Sequence, residues 1–169
     1  MGEHRTVKLY LCRHADAVHV EGLVDGDRWL TPKGRKQAHR VGKALARAEE
    51  APELILSSPL VRAVQTAEGL ATALGFAGPL EATRTLAPGG SLSAALAAIA
   101  EHPESPRSVY LVGHEPMMGE WASLLLGRPF PRAFVKGGVL RIDFRDEVEP
   151  GRGKAKFFLT PDMDEPEEL

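Results

Sequence analysis

The spacing of apolar positions changes its period several times along the chain. Val7 to Cys12 is a mostly apolar run of strand length, the pattern of a strand buried on both faces. Thr31-Pro32 reads as an N-cap followed by proline in the first turn of a helix, and Ala38, Val41, Leu45 and Ala48 continue at helical spacing. Leu54 to Leu56 predicts a short strand. Ser58-Pro59 repeats the cap-then-proline signal, and Leu60, Ala63, Val64, Ala67, Leu70, Ala71 and Leu74 give the next helix an apolar stripe ending at Gly75. Leu80 to Thr83 predicts another strand. Pro88-Gly89-Gly90 is a turn, and Ser91 can cap a helix carrying Leu92, Ala95, Leu96 and Ile99. Ser108 to Val112 is a further buried strand, broken at Gly113. Pro116 opens a helix with Met117, Trp121, Leu124 and Leu125. Val139 to Phe144 and Phe157 to Leu159 predict two last strands. Strands alternating with helices predict a three-layer α/β/α sandwich around a mostly parallel sheet. In such sheets ligands sit beyond the carboxyl ends of the strands.

Length adds that one domain suffices, because 169 residues lie below the size at which cores divide. The reading is a single domain over 1–160 and an acidic tail over 161–169, expected to be solvated and flexible. With 43% hydrophobic and 26% charged residues, a collagenous, coiled-coil or disordered chain is excluded. Net charge is −2, which argues against a general nucleic-acid or membrane-surface binder. Five of the 23 acidic residues, Asp162, Asp164, Glu165, Glu167 and Glu168, fall in the tail, so the remainder is slightly basic and suits an anionic ligand. Cys12 is the single cysteine, which excludes an internal disulfide and a thiolate-based zinc site. Met1 to Thr6 lacks the apolar core of a signal peptide, and no apolar run has the length of a membrane span, so a cytoplasmic location is expected.

Candidate chemistry gathers where strands give way to helices. Arg13-His14-Ala15-Asp16 follows the first strand, Ser57-Ser58-Pro59-Leu60-Val61-Arg62 enters the second helix, and Gly113-His114-Glu115-Pro116 links a later strand to its helix. Leu30-Thr31-Pro32-Lys33-Gly34 opens the first helix. Two guanidiniums, Arg13 and Arg62, aimed into one region would repel unless an anion joined them. Phosphate suits forked donors and unengaged backbone N–H groups. The histidines add what binding alone does not need: a neutral imidazole can attack phosphorus, and a second can donate to the transferring oxygens. His14-x-Asp16-x-x-His19 does not supply a convergent metal set, and Pro88-Gly89-Gly90 lacks the Gly-Lys-Ser/Thr of a phosphate-binding loop.

Arg13-His14-Ala15 resembles the Arg-His-Gly signature of the histidine phosphatase superfamily, the phosphoglycerate mutase-like fold. Arg62 in Ser-Ser-Pro-x-x-Arg-Ala-x-Gln-Thr-Ala and His114 in Gly-His-x-Pro complete the pattern in order, and Leu30 to Gly34 is similar to the same family. The short chain, Leu86 to Gly90 and Gly137-Gly138 resemble the bacterial phosphohistidine phosphatases of the SixA type. The resemblance implies that His14 is the nucleophile and forms a phosphohistidine intermediate, while Arg13, Arg62 and His114 bind the phosphoryl oxygens. Asp16 is a further candidate at the substrate and the nearest candidate acid. No cofactor and no metal are expected.

Two residues depart from the family. Ala15 replaces the usual glycine. Ala87 stands near where many members carry a glutamate that protonates the leaving oxygen. An ester needs that proton, whose donor contributes ~10²–10⁴-fold. A phosphohistidine needs it less, because imidazole protonates near neutral pH. The expected substrate is therefore a phosphoprotein carrying phosphohistidine, with inorganic phosphate as product and no nucleic acid or membrane partner. The alternatives are a phosphatase for a small phosphorylated metabolite and a non-catalytic phosphate-binding module.

Overall fold

Strand β1 (Thr6–Arg13) shows how the layers arise. Its side chains alternate between two faces. Val7, Leu9 and Leu11 enter a core with Ala95 and Ile99 of α3 (Leu92–Ala100) and Met118, Trp121 and Leu125 of α4 (Met117–Leu126). Tyr10 and Cys12 enter the other core, with Val41, Ala44 and Leu45 of α1 (Pro32–Arg47) and Ala63, Ala67 and Leu70 of α2 (Val61–Leu74). A strand covered on both sides has to be apolar on both, which is why Val7 to Cys12 does not alternate. The structure, a computed structural model, describes residues 2–169.

The remaining strands are β2 (Leu54–Ser57), β3 (Leu80–Ala82), β4 (Ser108–Gly113), β5 (Val139–Arg145), β6 (Lys154–Leu159) and β7 (Glu167–Glu168). They form one sheet in the order β3-β2-β4-β1-β5-β6-β7. The half from β3 to β1 is parallel, while β5, β6 and β7 are added antiparallel. The expected three-layer α/β fold is present in this mixed form. The parallel register puts Arg13 beside Gly113 and Ser57 beside Val112. Three adjacent strands therefore end together, and the residues that follow them, His14, Ser58 and His114, share one edge.

Caps fix where the helices begin. Thr31 Oγ1 accepts from Gly34 N at 2.9 Å, with Pro32 in the first turn, and Ser91 Oγ accepts from Ala94 N at 3.2 Å. Gly75 ends α2 in the left-handed conformation. The cap expected at Ser58 differs. Helix α2 starts at Val61 without a side-chain cap, so Ser58 stands two residues outside the capping position.

The C-terminal segment also departs from expectation. Its last three residues, Glu167 to Leu169, pair along β6. Phe157 and Phe158 pair with Glu168 and Glu167, Leu169 N donates to Lys156 O at 3.0 Å, and Arg132 grips the Glu167 carboxylate through both terminal nitrogens. Main-chain pairing and one two-pronged ion pair hold this strand, and neither leaves an apolar pattern in the sequence. Among the described residues no helix is long and apolar enough to cross a membrane.

Candidate active site

His14 begins where β1 ends. Its N–H donates to Gly113 O at 3.0 Å, and Gly137 N donates to the carbonyls of Arg13 and His14 at 3.2 and 3.1 Å. Gly137 has φ +79°, a conformation that glycine reaches at little cost. Ala15 is fully buried, so its methyl group fits where the family has glycine. Its N–H donates to Thr66 Oγ1 at 3.0 Å, and Thr66 Oγ1 donates to Arg62 O at 2.7 Å, so one hydroxyl ties the His14 turn to α2.

His14 is 7% exposed. Its Nδ1 lies 2.8 Å from Ala15 O. A carbonyl only accepts, so Nδ1 carries the hydrogen and Nε2 keeps its lone pair. Burial is the main cause that pushes the His14 pKa down to about 3, with His114, Arg62 and Arg13 pushing the same way and the Ala15 bond opposing. The ring is therefore neutral at pH 7.

The His114 ring lies 5.2 Å from the His14 ring, centroid to centroid. Burial, then Arg62 and Arg13, push its pKa down to about 4, against the pull of Asp25. Its Nε2 is 2.7 Å from Ser58 Oγ. Leu60 N donates to the same Oγ at 3.2 Å and takes one of its two lone pairs, so the Ser58 hydroxyl can either give its hydrogen to Nε2 or accept one from it. With the hydroxyl donating, His114 carries its own hydrogen on Nδ1, the nitrogen that has no protein partner.

Both arginines are tied by oxygen acceptors. Arg13 Nη1 donates to Phe134 O at 2.8 Å. Arg62 Nη1 donates to Asp25 O at 2.8 Å and Nη2 to Asp25 Oδ2 at 3.2 Å. Among the described residues four buried side-chain nitrogens have no partner, and three belong here: Arg13 Nε, Arg62 Nε and His114 Nδ1. An unsatisfied buried donor costs ~1–3 kcal/mol. Unpartnered nitrogens of this kind, on two guanidiniums and an imidazole, are groups that suit the oxygens of an anion.

The four residues singled out in the sequence, Arg13, His14, Arg62 and His114, are thus brought together. Asp16 is engaged elsewhere, accepting from Thr31 Oγ1 at 2.7 Å and Lys136 Nζ at 3.0 Å, and so anchors the start of α1. Ala87 lies just after a single helical turn (Arg84–Leu86) and brings no acid. Ser58, Thr66 and Asp25 were not anticipated. Ser58 was visible but read as a cap. Asp25 lies in a turn-rich loop with no periodic signal. Among the described residues no three His, Cys, Asp or Glu side chains group as a metal set. A separate cavity of about 940 Å³ lies beside α1 and the C-terminal segment; in its wall Arg141 pairs with Glu50 and, outside the wall, with Asp143.

Comparison with known proteins agrees with this geometry. Residues 9–87 match the model of the histidine phosphatase superfamily (branch 1). The chain belongs to that superfamily, and the protein is a phosphatase. It is similar to an uncharacterised protein of Picosynechococcus sp. (strain ATCC 27264 / PCC 7002 / PR-6), 41% identical over 121 residues, covering 70% of this chain and 73% of that one. It is also similar to the phosphohistidine phosphatase SixA of Escherichia coli (strain K12), 26% identical over 158 residues, covering 92% and 94%. The solved structure of the protein histidine phosphatase SixA complexed with tungstate superposes with a TM-score of 0.80 at 26% identity, covering 91% and 97%.

Proposed function

We propose that the protein removes phosphate from phosphohistidine on a protein, through a phosphoryl group carried briefly on His14. The observation that carries the reading is the meeting of three buried, unpartnered nitrogens, on Arg13, Arg62 and His114, with a neutral His14 whose Nε2 lone pair is unengaged. Nε2 attacks phosphorus in line, the bond from phosphorus to the substrate nitrogen breaks, and the electron pair leaves with the substrate ring. The arginine Nε–H groups and His114 Nδ1–H hold the equatorial oxygens, where charge spreads in the transition state. Water then attacks phospho-His14, releasing inorganic phosphate and restoring the neutral ring. Two guanidiniums and an imidazole supply the charge stabilisation, so the scheme calls for no metal.

The substrate class is supported from two sides. Ala87 leaves the site without an acid there, which disfavours an alkoxide leaving group and is tolerated by an imidazole. The similarity to SixA covers nearly the whole chain, and tungstate, bound in the SixA structure, is a tetrahedral oxyanion. The test is a rapid mix with a phosphohistidine protein, quenched in alkali and mapped by mass spectrometry. Acid-labile phosphate on His14, absent in His14→Ala, is the expected result, with turnover on phosphohistidine far above that on sugar phosphates. Label on another residue, or the reverse substrate order, refutes the proposal.

A further inference from the structure

We infer that Asp25 is the group that receives the leaving imidazole, and that as an anion at the mouth of the site it selects substrates whose leaving group arrives protonated. The inference rests on the phosphohistidine reading above. In-line transfer puts the leaving group opposite the nucleophile. His14 lies on the buried floor, so the leaving group points toward solvent. The Arg62 side chain is 7% exposed and the Asp25 side chain that grips it is 64% exposed. The carboxylate is therefore on the solvent side of the guanidinium, where the departing ring must pass.

Two other carboxylates near the site are tied to groups other than Arg62. Asp16 is held by Thr31 and Lys136. Glu115 accepts from Gly119 N at 2.7 Å at the start of α4. What sets Asp25 apart is its tie to a site arginine: Oδ2 accepts from Arg62 Nη2 at 3.2 Å, while Oδ1 accepts from Arg28 Nη1 at 3.1 Å. Each oxygen keeps a lone pair for another donor. The charged and titratable groups around it are Arg28 and Asp27 in its own turn, His19 against Arg28, Arg62 from α2, and His114 from the loop after β4. The two arginines hold its carboxyl below the usual carboxylate range, so it is an anion at neutral pH and cannot replace the missing proton donor.

An anion there discriminates between leaving groups. A phosphohistidine ring protonated on its distal nitrogen offers an N–H and a positive charge to Asp25. As its bond to phosphorus breaks, the electron pair goes to the ring nitrogen and the ring departs neutral, keeping its distal hydrogen. The positive charge passes to phospho-His14, whose Nδ1–H remains bonded to Ala15 O. An ester offers the opposite, a leaving oxygen that gains negative charge beside a carboxylate.

The test compares Asp25→Asn with the parent on N-phosphoimidazole and phenyl phosphate. Asparagine keeps an oxygen for one arginine, and the Asp25 main-chain carbonyl still holds Arg62 Nη1. The variant is expected to lose roughly 10- to 100-fold in kcat/KM on N-phosphoimidazole, the range for a hydrogen bond to a charged group, and to gain on phenyl phosphate. In the parent the carboxylate keeps the bound ring protonated to higher pH, so the alkaline fall in kcat moves to lower pH in the variant. Equal losses on both substrates, no change on either, or an unmoved alkaline limb overturns the inference. Label trapped on His14 with any of those results leaves the parent reaction standing, whereas a parent that never labels His14 overturns both.

Discussion

At the scale of single residues the site depends on which nitrogen of each histidine carries hydrogen. Ala15 O settles this for His14 through one contact at 2.8 Å, and Ser58 Oγ is the one partner of His114 Nε2, at 2.7 Å. Ser58→Ala leaves His114 Nε2 buried without a partner. The expected outcome is a fall in kcat of about tenfold, as for a hydrogen bond worth ~1–1.5 kcal/mol, with KM moved less. Ser58→Thr, which restores the hydroxyl, should recover much of the loss. Steady-state kinetics on N-phosphoimidazole checks both. A structural role alone would lower the melting temperature and leave the hydroxyl-bearing variant no better than alanine. Serine before proline is also a common helix cap, and nothing local distinguishes the two uses. The distinction comes from β4, which brings His114 across 56 positions of sequence.

At the scale of elements, the segment from Leu30 to Gly34 braces the His14 turn. Thr31 N donates to Asp16 O, Gln37 Oε1 accepts from Asp16 N, and Ala17 bridges to Leu30. Gly34 allows this approach: a methyl group built there would stand 2.0 Å from Asp16 O. Gly34→Ala must displace backbone, and a cost of about 1–3 kcal/mol is expected, as for overpacking a filled interior. Because the displaced turn includes Ala15, turnover should fall together with the melting temperature; unchanged stability would refute the tight docking. The parallel half of the fold was legible because Val7 to Cys12 and Ser108 to Val112 are too apolar to be exposed, and the stripes of α1 and α2 mark what covers them. The signature residues were legible because strand ends and helix starts adjoin them in sequence. Strand β7 was not, since Glu167-Glu168 is held through its backbone. The seat of Asp25 was not, because the loop acquires its place only by reaching Arg62, 37 positions on.

At the scale of the whole molecule, folding closes the ends of β1, β2 and β4 around two histidines that water would otherwise solvate. The two rings are neutral in the folded protein, with pKa values pushed down to about 3 and about 4, against an ordinary value near 6.5. From about pH 6.5 downward the unfolded chain binds protons at these positions that the folded chain refuses. By linkage, stability then rises with pH across this window and is lost as pH falls from about 6.5 toward 3. A variant carrying both His14→Gln and His114→Gln lacks these two sites, while His4, His19, His39 and His102 are common to both proteins and cancel. Urea unfolding at pH 7 and pH 4.5 should show the larger fall in midpoint for the parent. Equal falls would mean that the rings take up protons in the folded state as readily as in the unfolded one. Inorganic phosphate supplies the complementary arm: it should raise the parent's midpoint at pH 7, because an anion bound only by the folded state stabilises it by mass action. Arg62→Ala should lose much of that gain, since it removes a guanidinium that the proposed function places on the anion.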